Sequence, residues 1–350
     1  MILTDRRTEP TLGIEEQHAE WRAKALALES AVEAVVVGQG PLVRLVTVAL
    51  FARGHVLLEG DVGVGKTTLL RAFARAIGGD FERVEGTVDL MPNDLVYSAR
   101  VDEEGQPRID PGPLLRHGET LTTFFFNEIN RARPQVQSLL LRAMAERTVS
   151  GFGREHAFPH MTVFADRNRV EREETFELAS AARDRFMFEL SMLTPDEEDI
   201  RRALVFDPAF HDVDALLGAV PEGLCPGEAL NGIGADIQRF VKASPAIERY
   251  VLDVWRASAE PDRYGIEIEG VDVQRLVLAG ASARGMSALV RAARVVAWLD
   301  GRDHLLPEDV HRVLPSALAH RVFLSPVYEL RRTEIAPALV AGIVGAIASP

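Results

Sequence analysis

Residues 60 to 67 read Gly60-Asp61-Val62-Gly63-Val64-Gly65-Lys66-Thr67, the G-x-x-x-x-G-K-[ST] spacing of a phosphate-binding loop. Glycines let the backbone curl until several N–H groups converge on one anion. Lys66 can then reach the β and γ phosphates of a nucleotide, and Thr67 offers a hydroxyl to Mg²⁺. Asp61, Val62, Gly63, Val64, Gly65 and Thr68 complete the candidate cradle. Hydrolysis asks for more than binding. It needs a carboxylate to orient a hydrated metal and a base for the attacking water. The run Leu121 to Phe126 reads as an apolar strand and ends in Asn127-Glu128. Glu128 is placed as general base. Asn127 is a candidate metal-site residue where an aspartate is expected; an amide keeps the shape and an acceptor but not the charge. A tolerated isostere, a weakened ATPase and a trapping substitution all stay open, and the prediction that follows is that Asn127→Asp raises turnover.

The elements around these residues support the chemistry. His55 to Glu59 is a short apolar run ahead of the loop. Behind it Leu69, Phe73 and Ile77 recur every four residues, with Arg71 and Arg75 on another face, until Gly78-Gly79 stops the helix. Its N-terminus meets the loop and favours a phosphate. Further strand candidates are Phe81 to Glu85, Leu121 to Phe126, Met161 to Ala165 and Phe186 to Leu190. All are short and apolar, as strands buried on both faces of a parallel sheet are. Between two of them Val136, Leu139, Leu140, Ala143 and Met144 mark a helix over 134–146. Alternating strands and helices predict a doubly wound parallel α/β sheet from about 34 to 195. Thr194-Pro195-Asp196-Glu197 reads as a helix start with Thr194 as N-cap. Residues 196–234 read as a linker, rich in Pro and Gly over 207–234, with a short helix inside. From about 235 to 350 strand patterns vanish and five helices are expected, at 235–243, 246–258, 286–299, 307–319 and 331–348. Residues 1–33 form a charged helical extension, with its helix from Glu15 to Val35.

Composition narrows the class. A hydrophobic share of 47% in 350 residues is enough for a large core, and the formal charge of −13 does not suit default binding to nucleic acid or anionic membrane. The single Cys225 excludes an internal disulfide and reads as a small buried hydrophobe. Met1 to Glu20 lacks a secretory pattern. Ile335 to Ala348 is apolar but shorter than the roughly 20 residues of a span and is interrupted by Pro337. A cytoplasmic protein is expected. His156 and His160 share a suggestive spacing but have no Cys nearby and no set of acidic partners around them, so a metal role is not assigned to them.

Several separated motifs carry a specific resemblance. Phe126-Asn127-Glu128-Ile129-Asn130-Arg131-Ala132, followed by Val136-Gln137 through Ala145-Glu146-Arg147, resembles the MoxR family of AAA+ ATPases, of the helix-2-insert clade and akin to magnesium chelatase ATPase subunits. Val36-Val37-Gly38-Gln39 resembles the family's adenine-contacting opening, and Gly280-Ala281-Ser282-Ala283-Arg284-Gly285 its lid motif. The resemblance implies a five-stranded parallel sheet between helices, followed by a small all-α lid. It implies a homo-oligomeric ring, usually a hexamer, with ATP and Mg²⁺ between neighbours. In that picture Val37 and Gly38 touch the base and Asn168 is the polar sensor. Arg185 is the arginine finger, and Arg284 is the lid sensor in contact with nucleotide. Arg131 is a weaker intersubunit candidate. Residues 86–115 resemble the helix-2 insert, and 147–160 a hairpin ahead of the sensor strand with Phe152 exposed at its tip. The segments Ala165-Asp166-Arg167-Asn168-Arg169 and Leu178 to Phe186 depart from the family spelling while keeping Asn168 and Arg185.

The resemblance further implies chaperone-like remodelling or assembly of partner proteins, with a partner carrying a von Willebrand factor A domain. A nucleotide-responsive scaffold with little hydrolysis is the alternative that Asn127 supports. A DNA-associated motor of the same fold is a third reading, disfavoured by charge and motif spelling.

Overall fold

The structure is a computed structural model and describes residues 13–102, 104–168 and 176–350. The first twelve residues of the expected N-terminal extension, Glu103 of the insert and Arg169 of the sensor motif lie outside the described residues. Among the described residues nine strands precede the helical C-terminal part. They are β1 (Val56–Gly60), β2 (Asp80–Glu85), β3 (Tyr97–Val101), β4 (Pro107–Pro111), β5 (Leu121–Asn127), β6 (Thr148–Gly151), β7 (Arg154–Ala157), β8 (Thr162–Asn168) and β9 (Phe188–Met192). Five of them form one parallel sheet in the order β2-β5-β8-β1-β9. All five predicted strands are in it.

The triple-phenylalanine strand shows why this sheet is central. Every residue of β5 is buried. Successive side chains of a strand point to opposite faces. Phe125 accordingly joins the core beneath helices Gly40–Phe51 and Lys66–Ile77, with Phe164 and Leu58. Phe124 and Phe126 join a second core under helix Pro134–Glu146, with Leu57, Val163 and Leu140. A strand packed on both faces loses its polar alternation, and β5 is apolar from Phe124 to Phe126 for that reason.

The insert is a short helix, Pro92–Val96, followed by the antiparallel pair β3 and β4. Residues 147–160 form the antiparallel pair β6 and β7, with Phe152 at the tip, half exposed and at φ 51°.

The segment predicted as a loose linker is held. The N–H groups of Gly223, Cys225 and Gly227 donate to the carbonyls of Arg75, Ala76 and Ile77, capping the helix that follows the phosphate loop. Cys225 is fully buried there, and burial pushes its thiol up to about 12. The helix expected at Thr194 instead begins at Glu198, with Glu197 as N-cap. Thr194 and Pro195 are diverted: Gln39 Nε2 donates to Leu193 O at 2.7 Å, and Pro195 packs so close to Gly38 that a Cβ there would lie 2.7 Å from its Cγ.

The C-terminal part contains helices Leu230–Phe240, Pro245–Ala259, Ala283–Leu299, Pro307–Leu318 and Arg332–Ala346. It also contains a ribbon the sequence does not announce, Val277–Ala279 antiparallel to Phe323–Leu324. Strands of two or three residues are too short to print a period. Helix Ile14–Glu33 ties the ends of the chain together. Its His18 accepts from the indole N–H of fully buried Trp298 at 3.1 Å, and Trp298 lies 5.2 Å from Phe51. Among the described residues no helix is long and apolar enough to cross a membrane.

Candidate functional site

The carboxyl ends of β1, β5 and β8 converge on the phosphate loop. Gly65 takes φ 96°, a left-handed conformation open to glycine, and starts helix Lys66–Ile77. The loop N–H groups and a three-turn helix N-terminus therefore share one concavity, an arrangement that fits an oligophosphate. Lys66 is buried to 7% exposure. Its ammonium donates to Gly60 O at 2.9 Å, to Asp61 O at 3.0 Å and to Asn168 Oδ1 at 2.8 Å. Asn168 Nδ2 in turn donates to Glu128 Oε1 at 3.0 Å, and Arg131 Nη1 to Glu128 Oε2 at 3.0 Å. Lys66, Asn168 and Glu128, read from three separate motifs, thus form one chain of contacts. Glu128 sits at φ 53°, which turns the backbone sharply at the strand end.

Asp166 joins this group. It accepts from Glu128 N at 2.6 Å and lies 3.9 Å from the Lys66 ammonium. Burial pushes its carboxyl up to about 6, against the opposing pull of the Glu128 N–H and of Lys66. Asn127 is buried beside them and its Nδ2 donates to Glu85 Oε1. Among the described residues no three His, Cys, Asp or Glu side chains stand together as a ready-made metal cage. A metal at this site would therefore need ligands from phosphate, water and the Thr67 hydroxyl, with Asn127 in the outer shell.

Beside the loop is a pocket of about 280 Å³ walled by Val36, Val37, Gly63, Thr68, Pro195 and Leu216, among others. Its apolar walls and its contact with the loop suit a flat heterocyclic base.

Arg185 and Arg284 are elsewhere. They line a cavity of about 260 Å³ with Arg53, Arg147, Arg291 and Arg321, and Asp184 is the one carboxylate among the lining residues. Gly54 and His55 also line it. They precede β1, whereas the phosphate loop follows it. The two sites are therefore at opposite edges of the sheet, separated by the length of β1, about 17 Å for five residues. Arg284 approaches Asp184 at 3.9 Å, and Ser282 Oγ donates to the same carboxylate. Arg321 Nε donates to Asp184 at 3.0 Å from a fully buried position. Asp184 thus joins the lid to the sheet. The Nε atoms of Arg53, Arg185 and Arg291 have no partner. Burial, then neighbouring guanidiniums, lowers Arg147 and Arg291 from their usual range. Burial, aided by the Arg291 and Arg284 guanidiniums, outweighs Asp184 at Arg321 and brings it down to about 10.

Comparison with known proteins fits this geometry. A family profile described as ATPase family associated with various cellular activities (AAA) matches residues 55–188, and an AAA lid domain profile matches 272–339. Protein MoxR of Methylorubrum extorquens is 57% identical over 331 residues, covering 95% of this chain and 96% of its own. The chain belongs to the MoxR family of AAA ATPases. Protein MoxR of Paracoccus denitrificans is 54% identical over 95% of this chain and 98% of its own length. Chaperone MoxR1 of Mycobacterium tuberculosis is 35% identical over 88% and 78%. A crystal structure from Cytophaga hutchinsonii, whose ATPase assignment is provisional, superposes with a TM-score of 0.80 at 27% identity over 96% of this chain and 98% of that one.

For this MoxR-family chain the sequence placed Lys66, Glu128 and Asn168 in one site, and the structure brings them together. It grouped Arg284 with both the catalytic and the nucleotide-binding residues, and the structure sets it beside Arg185, at the edge of the sheet opposite the loop. Asp166 and Glu85 were missed. Glu85 ends one strand candidate and Asp166 follows another, and the strand-end logic that selected Glu128 could have found them. Arg53 and Arg291 carry no sequence signal, because a lone arginine reads as surface charge.

Proposed function

We propose that this MoxR-family ATPase works as a ring, with each ATP held by the loop of one protomer and reached by the arginines of the next. The observation that supports it most is the split between the two edges of the sheet. Arg185 and Arg284 stand at the edge opposite their own loop, so a phosphate they could neutralise must belong to another copy. Stacking copies edge to edge builds a closed ring or an open helix, and a hexameric ring is the form proposed. Lys66 and the N–H groups from Asp61 to Thr68 hold the phosphates, and Val37 and Gly38 border the base. Glu128, held by Asn168 and Arg131, takes the proton of the attacking water. Arg185 stabilises charge developing on the transferred phosphoryl group, and Arg284 couples that charge to the lid through Asp184. Mg²⁺, held by Thr67 with Asn127 in its outer shell, would neutralise phosphate charge.

The proposed organisation is an N-terminal helical extension (1–33), the nucleotide-binding module (34–195), a connecting segment (196–234) and the helical lid (235–350). The output proposed is remodelling or assembly of partner proteins in the cytoplasm. The mycobacterial relative, named a chaperone, supports that reading. The exposed side chains of Val101, Ile109 and Phe152 on the two hairpins offer a surface for a partner, with a von Willebrand factor A domain protein proposed. Neither the acidic chain nor the exposed hairpins favour DNA.

Mixing half-sites tests the ring. Lys66→Ala removes the loop's cation and keeps the arginines; Arg185→Ala does the reverse. Each variant alone should release little phosphate from ATP. An equimolar mixture should regain turnover, because a loop from one meets an arginine from the other. No regain, with both variants folded and oligomeric, would mean the arginine serves its own loop.

A further inference from the structure

The ends of β2, β5 and β8 set three polar side chains in a row. Glu85 is in register with Asn127. Phe126 is in register with Ala165, so the next step along both strands brings Asn127 beside Asp166. Cross-strand neighbours in register project from the same face of the sheet. The corner is tight: a Cβ on Gly86 would lie 2.2 Å from Glu128 O, and Gly86 N donates to Asn127 O at 2.7 Å. Asn127 Nδ2 donates to Glu85 Oε1, and Glu85 Oε2 accepts from Arg83 Nη2 at 2.9 Å. With its donor end committed toward β2, the Asn127 amide has its oxygen left as the acceptor.

We propose that Glu85 and Asn127 together replace the single aspartate expected at the end of β5. The charge sits one strand outward, on Glu85, and the acceptor stays at the strand end, on the amide oxygen. Glu85 is then a positioning residue: it fixes which end of the amide faces the metal's water shell and supplies the negative field behind it. The proposal rests on the ATPase reading above. It also explains why an aspartate would be out of place at 127. That carboxylate would stand between Glu85 and Asp166, with Glu128 next in the chain, and like charges at such range suppress one another's ionisation. Asn127→Asp alone therefore lowers turnover, which reverses the expectation drawn from the sequence.

The test is a charge swap in the full-length chain. Glu85→Gln, Asn127→Asp and the double variant are compared for ATP turnover and for Mn²⁺ affinity of the ATPγS complex, read by electron paramagnetic resonance. Each single change should cost about tenfold in Mn²⁺ affinity, the lower end of what loss of an outer-shell partner costs, and should lower turnover with it. The double variant, with the amide and the carboxylate exchanged, should recover most of both losses; a purely structural pair would give no such rescue in metal affinity. Additive losses in the double variant, or a Glu85→Gln chain that binds Mn²⁺ as the parent does, would overturn the assignment. A parent that binds no ATPγS would instead overturn the ATPase reading beneath it.

Discussion

The two edges of the central sheet are built on opposite electrostatic plans. At the carboxyl edge Lys66 is surrounded by acceptors, and its partners Asn168 and Glu128 are themselves hydrogen-bonded. At the amino edge six arginines share a cavity with one carboxylate, and three of them carry unpartnered Nε atoms. The first edge satisfies its own groups. The second gathers more cation than the one carboxylate in its lining can neutralise, although the chain as a whole carries a formal charge of −13. Buried charge without a counter-charge is costly, so the excess suits an anion from outside, as the proposed ring would supply. Self-sufficiency on one side and deficit on the other are what a site shared between copies requires.

The largest effect should come from Arg185. An arginine that reaches a neighbour's phosphate contributes about 10³-fold or more to turnover. Arg185→Ala should lose that factor while leaving nucleotide affinity at the loop near the parent's, measured by titration with a fluorescent ATP analogue. Loss of affinity equal to the loss of turnover would break the contrast, because it would place Arg185 in ground-state binding. Lys66→Ala should show the opposite pattern, losing affinity first.

The legibility of the two edges differed for a physical reason. The loop edge is encoded by contiguous spacing: eight residues from Gly60 to Thr67, then Asn127-Glu128, then Asn168 at the ends of apolar runs. Buried strands print themselves as apolar stretches, which made β1, β5, β8 and β9 predictable; β2, where only Val84 is buried, was read from a weaker pattern. The hairpin tip at Gly151-Phe152-Gly153 was also readable, because turns demand particular residues. The arginine cavity is assembled from residues 53, 147, 185, 284, 291 and 321, and no local pattern joins them. Arg284 was found through its motif, but a motif names a role and not the edge of the sheet on which the residue stands. Thr194-Pro195 had the composition of a helix start, yet tertiary contact with Gly38 and Gln39 claimed it.

The second prediction concerns the hinge between lid and sheet. Asp184 is the carboxylate on which Arg321, Ser282 and Arg284 converge. Asp184→Ala leaves the buried Arg321 guanidinium without its counter-charge, and breaking such a pair costs about 3 kcal/mol or more. Urea unfolding at pH 7.5 should show that loss. Arg284→Ala, at a side chain 59% exposed and 3.9 Å from Asp184, should cost far less stability but still lower turnover. Equal destabilisation by the two changes would mean that Arg284 is part of the lid joint and not held ready for a ligand.

The smallest effect tests the claim that the loop edge is internally balanced, through Asp166. Its folded-state carboxyl titrates at about 6, above the ordinary 3.8, and burial is the main cause. A raised acid pKa means the folded state binds the proton more tightly than the unfolded chain does. Stability therefore falls as pH rises from about 4 to about 6 and stays reduced above that, by at most about 3 kcal/mol. Asp166→Asn keeps an oxygen for the Glu128 N–H and removes the charge. Without nucleotide it should melt above the parent at pH 7.5, and the gain should shrink toward zero near pH 4. A variant less stable than the parent at pH 7.5 would show that the Lys66 ammonium more than offsets the cost of burying Asp166. In that case the balance at this edge would rest on an ion pair, and the contrast with the arginine edge would be one of charge pairing and not of neutral hydrogen bonding.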